Sequence, residues 1–426
     1  MIKEETNESR LSNGLTILTD RMEGVRSATL GFFYRVGSRN EPDEINGISH
    51  FIEHVVFKGT TRRTALEIAI EQDRLGGNLD AFTTHEETGF AIKVIDDQLP
   101  AAFDLIADML TDPRFDEADL ESEQRVIIEE IKMTDDSPEE LLGEVFYREF
   151  FPDHPLGLSI AGTPQTVRSF DRTRTADYHR NTFGPSNLVI AAAGNIDHTA
   201  LVELVKANRN FTNHDGGQRE LKLRAPIPAA PIIIEQKADL EQAHMILATP
   251  FVDGRDERRY AADMLANIIG GGTSSRLWQK VREQRGLAYS VGASAAMFND
   301  CGIFSVFAAT SPEQVDEVLD IVMDELRALV REGVTADEIQ LVKDQTRASI
   351  LLGLEDSAGR AASLAQSEML HGRQISVEES LVNLDAITAD QVKAVADEFF
   401  QTDKIAFAVI GDLADLKVDR SRLSIG

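Results

Sequence analysis

The segment His50-Phe51-Ile52-Glu53-His54 has the residue types and spacing best suited to chemistry. On a helix, residues three and four apart share a face, so His50, Glu53 and His54 converge on one side. Two imidazoles at i and i+4 can grip one zinc ion, and the carboxylate between them can take a proton from a metal-held water. The chemistry implied is metal-assisted hydrolysis. A catalytic zinc needs a third protein ligand and an open position. The acidic stretch Glu121-Ser122-Glu123-Gln124-Arg125-Val126-Ile127-Ile128-Glu129-Glu130 can supply that ligand. Glu123 and Glu130 lie two turns apart along one helix face, and Glu129 points about 100° away from Glu130. One acid can bind the metal while another orients a ligand from behind.

The order His-x-x-Glu-His inverts the His-Glu-x-x-His motif of zinc peptidases. With the Glu129-Glu130 segment following at the right distance, it resembles the inverzincin peptidases typified by pitrilysin, insulin-degrading enzyme and mitochondrial processing peptidase. About 75 residues intervene between His54 and Glu130. The resemblance implies that Glu130 is the third ligand and Glu123 the accessory acid, with one Zn2+ per chain. It spans nearly the whole chain, each half looking like one domain of the single-length, processing-peptidase-like bacterial type.

Gly76-Gly77-Asn78-Leu79-Asp80-Ala81-Phe82-Thr83-Thr84 resembles the family's edge strand, which docks substrate by strand addition. The resemblance implies that Asp80, Ala81, Phe82 and Thr83 bind substrate. The family usually has Asn where Asp80 stands, and an ionised aspartate accepts hydrogen bonds without donating. In the second half, Gly270-Gly271-Gly272-Thr273 lacks the Lys and spacing of a phosphate loop. With the following Arg282 and Tyr289, seven apart, it resembles the segment whose Arg and Tyr reach the substrate and the tetrahedral intermediate. A guanidinium and a phenol are apt donors to a developing oxyanion. In the family, two single-length subunits close into a clamshell around a chamber, so the resemblance implies a homodimer. The expected activity is zinc-dependent endopeptidase action on short or unfolded polypeptides. The other reading, a non-catalytic peptide-binding or assembly subunit, predicts damage to the motif or donors, and the one departure is Asp80.

These residues require a scaffold. With 426 residues, at least two domains are expected. An internal repeat pairs Leu188–Ile196 with Ile405–Leu413, Phe183 with Phe400, and the helical pattern Ala101–Leu110 with Glu317–Leu326. Aligning Leu120 with Ile339 puts Val342 opposite Glu123 and Ser349 opposite Glu130, so the metal site belongs to the first copy alone. Strands are expected at Leu15–Leu18, Ala28–Val36 and, loosely alternating, Ala81–Ile95. Helices are expected at Ile48–Phe57, Ala65–Leu75, Phe103–Leu110 and Ala118–Met133. Interspersed strands and helices without regular alternation give an α+β class: two homologous domains, each a mainly antiparallel sheet with helices packed on it. The domains are placed at 1–215 and 231–426, with a polar and Pro-spaced linker at 216–230.

Composition narrows the partners. Lys and Arg number 43 against 72 Asp and Glu, a formal net charge of −29, which opposes nucleic-acid binding and favours basic ligands. No apolar run approaches a membrane span, no signal-peptide pattern is visible, and the single cysteine, Cys301, cannot form an internal disulfide. A cytoplasmic protein without membrane contact is the expectation.

Overall fold

Two stretches that repeat one another in sequence build two sheets with one strand order. The computed structural model describes residues 5–212, 224–413 and 416–426. The first sheet contains β1 (Thr6–Arg10), β2 (Thr16–Arg21), β3 (Ser27–Tyr34), β4 (Leu79–Thr83), β5 (Thr88–Ile95) and β6 (Leu188–Gly194), in the order β1-β2-β6-β3-β5-β4. The second contains β7 (Ile232–Gln236), β8 (Ala243–Phe251), β9 (Ala288–Met297), β10 (Gly302–Thr310) and β11 (Ala406–Gly411), in the order β7-β11-β8-β10-β9. Without β1 the two orders correspond strand for strand. Each sheet has one parallel pair, β2 with β6 and β7 with β11, among antiparallel neighbours. The repeat read at Leu188–Ile196 and Ile405–Leu413 is thus β6 and β11. The expectation of two α+β domains holds.

Alternation along the strands divides each sheet into two apolar faces. In the first, Ile17, Leu30, Phe32, Leu188 and Ile190 join the larger core with Phe51, Ile52, Leu105, Ile106 and Ile127 of the helices. Leu18, Phe33, Val189 and Ala191 point the other way and pack against Leu364 and Ala365 of the Ser357–His371 helix. The second sheet repeats this arrangement. Leu247, Phe304, Val306, Phe407 and Val409 face its main core, while Ala248, Ile303, Ala406 and Ala408 pack against Leu142, Phe146 and Phe150 of the Pro138–Phe150 helix.

This second layer corrects the expected contiguous domains. One compact unit comprises Met1–Lys132, Leu158–Leu223 and Ile350–Ser376; the other comprises Met133–Gly157, Arg224–Ser349 and Val377–Gly426. Each half of the chain therefore contributes one helix to the unit formed mainly by the other half. The physical reason is that each sheet has an apolar back face which needs a cover, and the nearest amphipathic helix in sequence is not the one that supplies it. Buried ion pairs fasten the exchanged Ser357–His371 helix: Arg360 Nε donates to Asp20 Oδ2 at 2.6 Å, and Glu368 accepts from Arg10 and Arg35 at 2.8 and 2.9 Å. Of the expected linker, residues 216–223 lie outside the described residues, and 224–230 have no regular secondary structure.

A smaller correction concerns Ala81–Ile95, expected as one strand. It is the hairpin β4–β5, with its turn at Thr84–Glu87. Among the described residues no helix is long and apolar enough to cross a membrane.

Candidate metal centre

The helix Ile48–Val55 sets His50, Glu53 and His54 by burying Ile48, Phe51, Ile52 and Val55 on its opposite side. Its start is fixed by two residues. Gly47 has φ +97, and a Cβ there would lie 2.6 Å from Ala161 O and 2.8 Å from Gly162 Cα, so only glycine fits. Glu41, buried, takes the place of a local side-chain cap by accepting from the Gly47 and Ser49 backbone N–H groups at 2.6 and 2.7 Å and from Asn46 Nδ2 at 3.3 Å. Those donors would otherwise be unsatisfied at the helix end.

The long helix Glu117–Asp136 brings its acids to the histidines. Glu130 Oε2 stands 3.6 Å from His54 Nε2 and 4.0 Å from His50 Nε2. The two imidazoles meet edge to face, with ring centroids 4.7 Å apart. His54 Nδ1–H donates to Glu123 Oε2 at 3.2 Å, which leaves its Nε2 lone pair facing Glu130. The other oxygen of Glu123 meets Lys58 Nζ at 2.6 Å. Glu129 instead pairs with Lys132 on the surface at 2.7 Å.

The donor set fits zinc. Among the described residues, His50, His54 and Glu130 form the one group of three or more His, Cys, Asp or Glu whose candidate ligand atoms all lie within 4.8 Å of one another. A tetrahedral zinc with bonds of about 2.0–2.1 Å sets its ligand atoms about 3.4 Å apart, close to the spacing found here before any contraction. The protonation state of His50 favours binding as well. Burial, aided by the neighbouring His54, pushes His50 down to about 4, so it is neutral and its lone pair is free at neutral pH. For His54, burial works against the charged form, but the hydrogen bond it donates to Glu123 and the charges of Glu130 and Glu53 outweigh it and hold the ring above the ordinary value.

Glu53 completes the cluster. Thr83 Oγ1, on β4, donates to Glu53 Oε2 at 2.7 Å. Burial raises the Glu53 carboxyl above the usual range, opposed by that hydrogen bond, which suits a group that must accept a proton. For Glu123 the burial penalty is overcome by His54 and Lys58, and its carboxyl lies below the usual range. β4 is an edge strand, paired with β5 alone. Of the residues read as its substrate-binding positions, Leu79's alternation partners Ala81 and Thr83 face the metal-motif side, and Asp80 is exposed. Phe82 differs: its ring packs toward Phe33 on the back face, centroids 6.4 Å apart, so its backbone alone is available at the edge.

In the second unit, Arg282 and Tyr289 come together as a stacked pair, with the guanidinium carbon 4.7 Å from the phenol ring centroid. Tyr289 is 78% exposed. Sequence reasoning missed three groups that support the site residues: Lys58 behind Glu123, Glu41 at the start of the motif helix, and Trp278, whose ring lies 4.1 Å from the Arg282 guanidinium. Lys58 follows the motif by four residues, a helical spacing that offered a signal; nothing local marked Glu41.

Comparison with known proteins identifies the family. Residues 16–164 match the family model described as insulinase (peptidase family M16), and residues 169–346 match the model described as the peptidase M16 inactive domain. An uncharacterized zinc protease of Streptomyces coelicolor is 40% identical over 96% of this chain and 90% of its own length. An uncharacterized zinc protease of Bacillus subtilis is 34% identical over 96% of this chain and 98% of its own. Among solved structures, a protease from Helicobacter pylori superposes with a TM-score of 0.88 at 21% identity, covering 96% of this chain and all of that one. A similar match, TM-score 0.89 at 19% identity over 97% of this chain and all of that one, is the M16 inactive-domain structure from Pseudomonas fluorescens. The chain belongs to the M16 peptidase family.

Proposed function

We propose that this protein is a zinc-dependent endopeptidase that hydrolyses short or unfolded polypeptides. The observation that carries the reading is the convergence of His50 Nε2, His54 Nε2 and Glu130 Oε2 beside a raised, hydrogen-bonded Glu53. His50, His54 and Glu130 hold the metal. When bound, zinc polarises the scissile carbonyl and acidifies the attacking water. Glu53 takes the proton and returns it to the leaving amine. Thr83 fixes the carboxylate for both transfers, and Glu123 fixes the tautomer and tilt of His54.

Substrate enters by strand addition on the open edge of β4, which demands an extended, unfolded segment and reads little sequence. Asp80, Ala81, Phe82 and Thr83 supply that edge. Arg282 and Tyr289 act as donors to the substrate and its developing oxyanion. The assembly is a homodimer, as the family likeness implies, and light scattering measures it directly.

The test is cleavage of a quenched, unstructured, basic peptide by wild type and by Glu53→Gln, with zinc content measured on both. The expected result is zinc near one per chain in each and cleavage lowered about 10²- to 10⁴-fold in the variant. Full cleavage by Glu53→Gln would remove the role given to Glu53, and zinc binding without cleavage of any peptide by wild type would favour a peptide-binding subunit.

A further inference from the structure

Arg282 sits in a place built for it, within a rare type of helix. Residues Trp278–Glu283 wind as a π-helix, closed by an i→i+5 hydrogen bond from Gln284 N to Gln279 O at 3.0 Å. Such turns are uncommon and cluster at functional sites. The winding brings the ring of Trp278, the only tryptophan of the chain, to 4.1 Å from the Arg282 guanidinium carbon, and the Tyr289 ring lies 4.7 Å from the same carbon. Two aromatic rings thus stack on one cation. Its in-plane N–H groups have no acceptor among the described residues, in a protein where carboxylates outnumber cations.

The carboxylate nearest to Arg282 in sequence is Glu283, the adjacent residue. It is engaged elsewhere: Trp278 Nε1–H donates to Glu283 Oε1 at 3.0 Å. One indole therefore does two things. Its ring stacks on the guanidinium, and its N–H engages the neighbouring carboxylate.

We infer that Trp278 is a positioning residue that keeps the in-plane donors of Arg282 open for a planar oxygen acceptor of the substrate, a peptide carbonyl or carboxylate. Cation–π stacking restrains the side chain without consuming a donor, and the restraint lowers the entropy lost when the substrate oxygen arrives. The inference rests on the reading of Arg282 as a substrate-binding residue.

Trp278 is half-buried and Glu283 exposed, so substitutions there leave the core intact. The experiment compares wild type, Trp278→Leu, Trp278→Phe, Glu283→Gln and the double variant Trp278→Leu/Glu283→Gln in peptide cleavage. Trp278→Leu is expected to lower kcat/KM about 3- to 30-fold. Trp278→Phe keeps the stack and is expected to lose less. Glu283→Gln alone is expected to stay near wild type, and in the double variant it restores part of the loss, a rescue that a merely structural role of Trp278 would not give. Unchanged cleavage by Trp278→Leu, or a loss that Glu283→Gln leaves whole, overturns the inference.

If wild type cleaves nothing, the peptidase reading fails and this one is judged by binding. Under tryptophan-selective excitation all emission comes from Trp278. A saturable change on adding the same peptide, abolished in Arg282→Met, supports the inference; a flat titration overturns it.

Discussion

In the first unit, the helix after β3 starts beneath buried Glu41 and presents His50, Glu53 and His54; in the second, the helix after β8, Arg259–Gly270, has no side-chain cap and presents no ligand. The long acidic helices differ likewise, Glu123 and Glu130 in one facing Val342 and Ser349 at the aligned places of the other. Yet the strand order, the parallel pair and the covering back-face helix are common to both. The difference separates what the fold demands from what the chemistry demands. Apolar alternation is kept in both copies because each sheet must bury two faces, whereas the polar residues are free to diverge. One copy gathers two histidines and a glutamate that could hold a metal, and the other stacks two aromatic rings on a cation at the start of its corresponding edge strand.

Writing the second copy's residue into the first is the most severe way to break this contrast. Glu130→Ser, copying Ser349, removes the third ligand, and near-complete loss of bound zinc and of cleavage is expected by metal analysis and peptide assay. Retained stoichiometric zinc would show that another group holds the metal. Next in size is the exchanged helix. Arg360→Met leaves Asp20 buried without its partner and is expected to cost about 3–5 kcal/mol in denaturant unfolding, whereas Asp20→Leu/Arg360→Met recovers most of it. A loss equal in the single and double variants would assign the stability to packing alone.

Glu41 sharpens the comparison through pH. Burial pushes its carboxyl up to about 7, so the folded chain holds a proton that the unfolded chain, titrating near the ordinary 4.5, has released. The stability it contributes is full below about pH 4.5 and is lost as pH rises through about 7, on the order of 3 kcal/mol. Glu41→Gln is expected to flatten that part of the stability profile relative to wild type; an unchanged slope across pH 5–7 contradicts it. The smallest expected effect is that of Glu123→Val, copying Val342. With His54 no longer held from behind, zinc affinity is expected to fall about 10- to 100-fold in chelator competition, with the fold unchanged.

The metal-motif residues were legible because a helix turns sequence spacing into spatial proximity within five residues. The pairing of Glu130 with the histidines spans a distance that spacing alone left open, and the family likeness selected among three acids. The hairpin at Leu79–Ile95 was hidden because its turn, Thr84-His85-Glu86-Glu87, contains neither Gly nor Pro to interrupt the β-prone run. Glu41 and the bond from Thr83 to Glu53 escaped because the partners lie on other elements. The exchanged helices escaped for a different reason: an amphipathic pattern shows that a helix has a face to bury, and says nothing of which sheet will receive it.

That exchange also sets an order of events during synthesis. The last strand of the first sheet ends at Gly194, yet the helix that covers its back face ends at His371. At about 5–20 residues per second, the ribosome needs roughly 10–35 s to make the intervening chain. Throughout that interval the back face formed by Leu18, Phe33, Val189 and Ala191 has no cover from its own unit, while the already-made Pro138–Phe150 helix waits for a sheet completed only by β11. The nascent protein therefore carries two unfinished apolar surfaces until the Ser357–His371 helix has been made, and one of them until β11 follows.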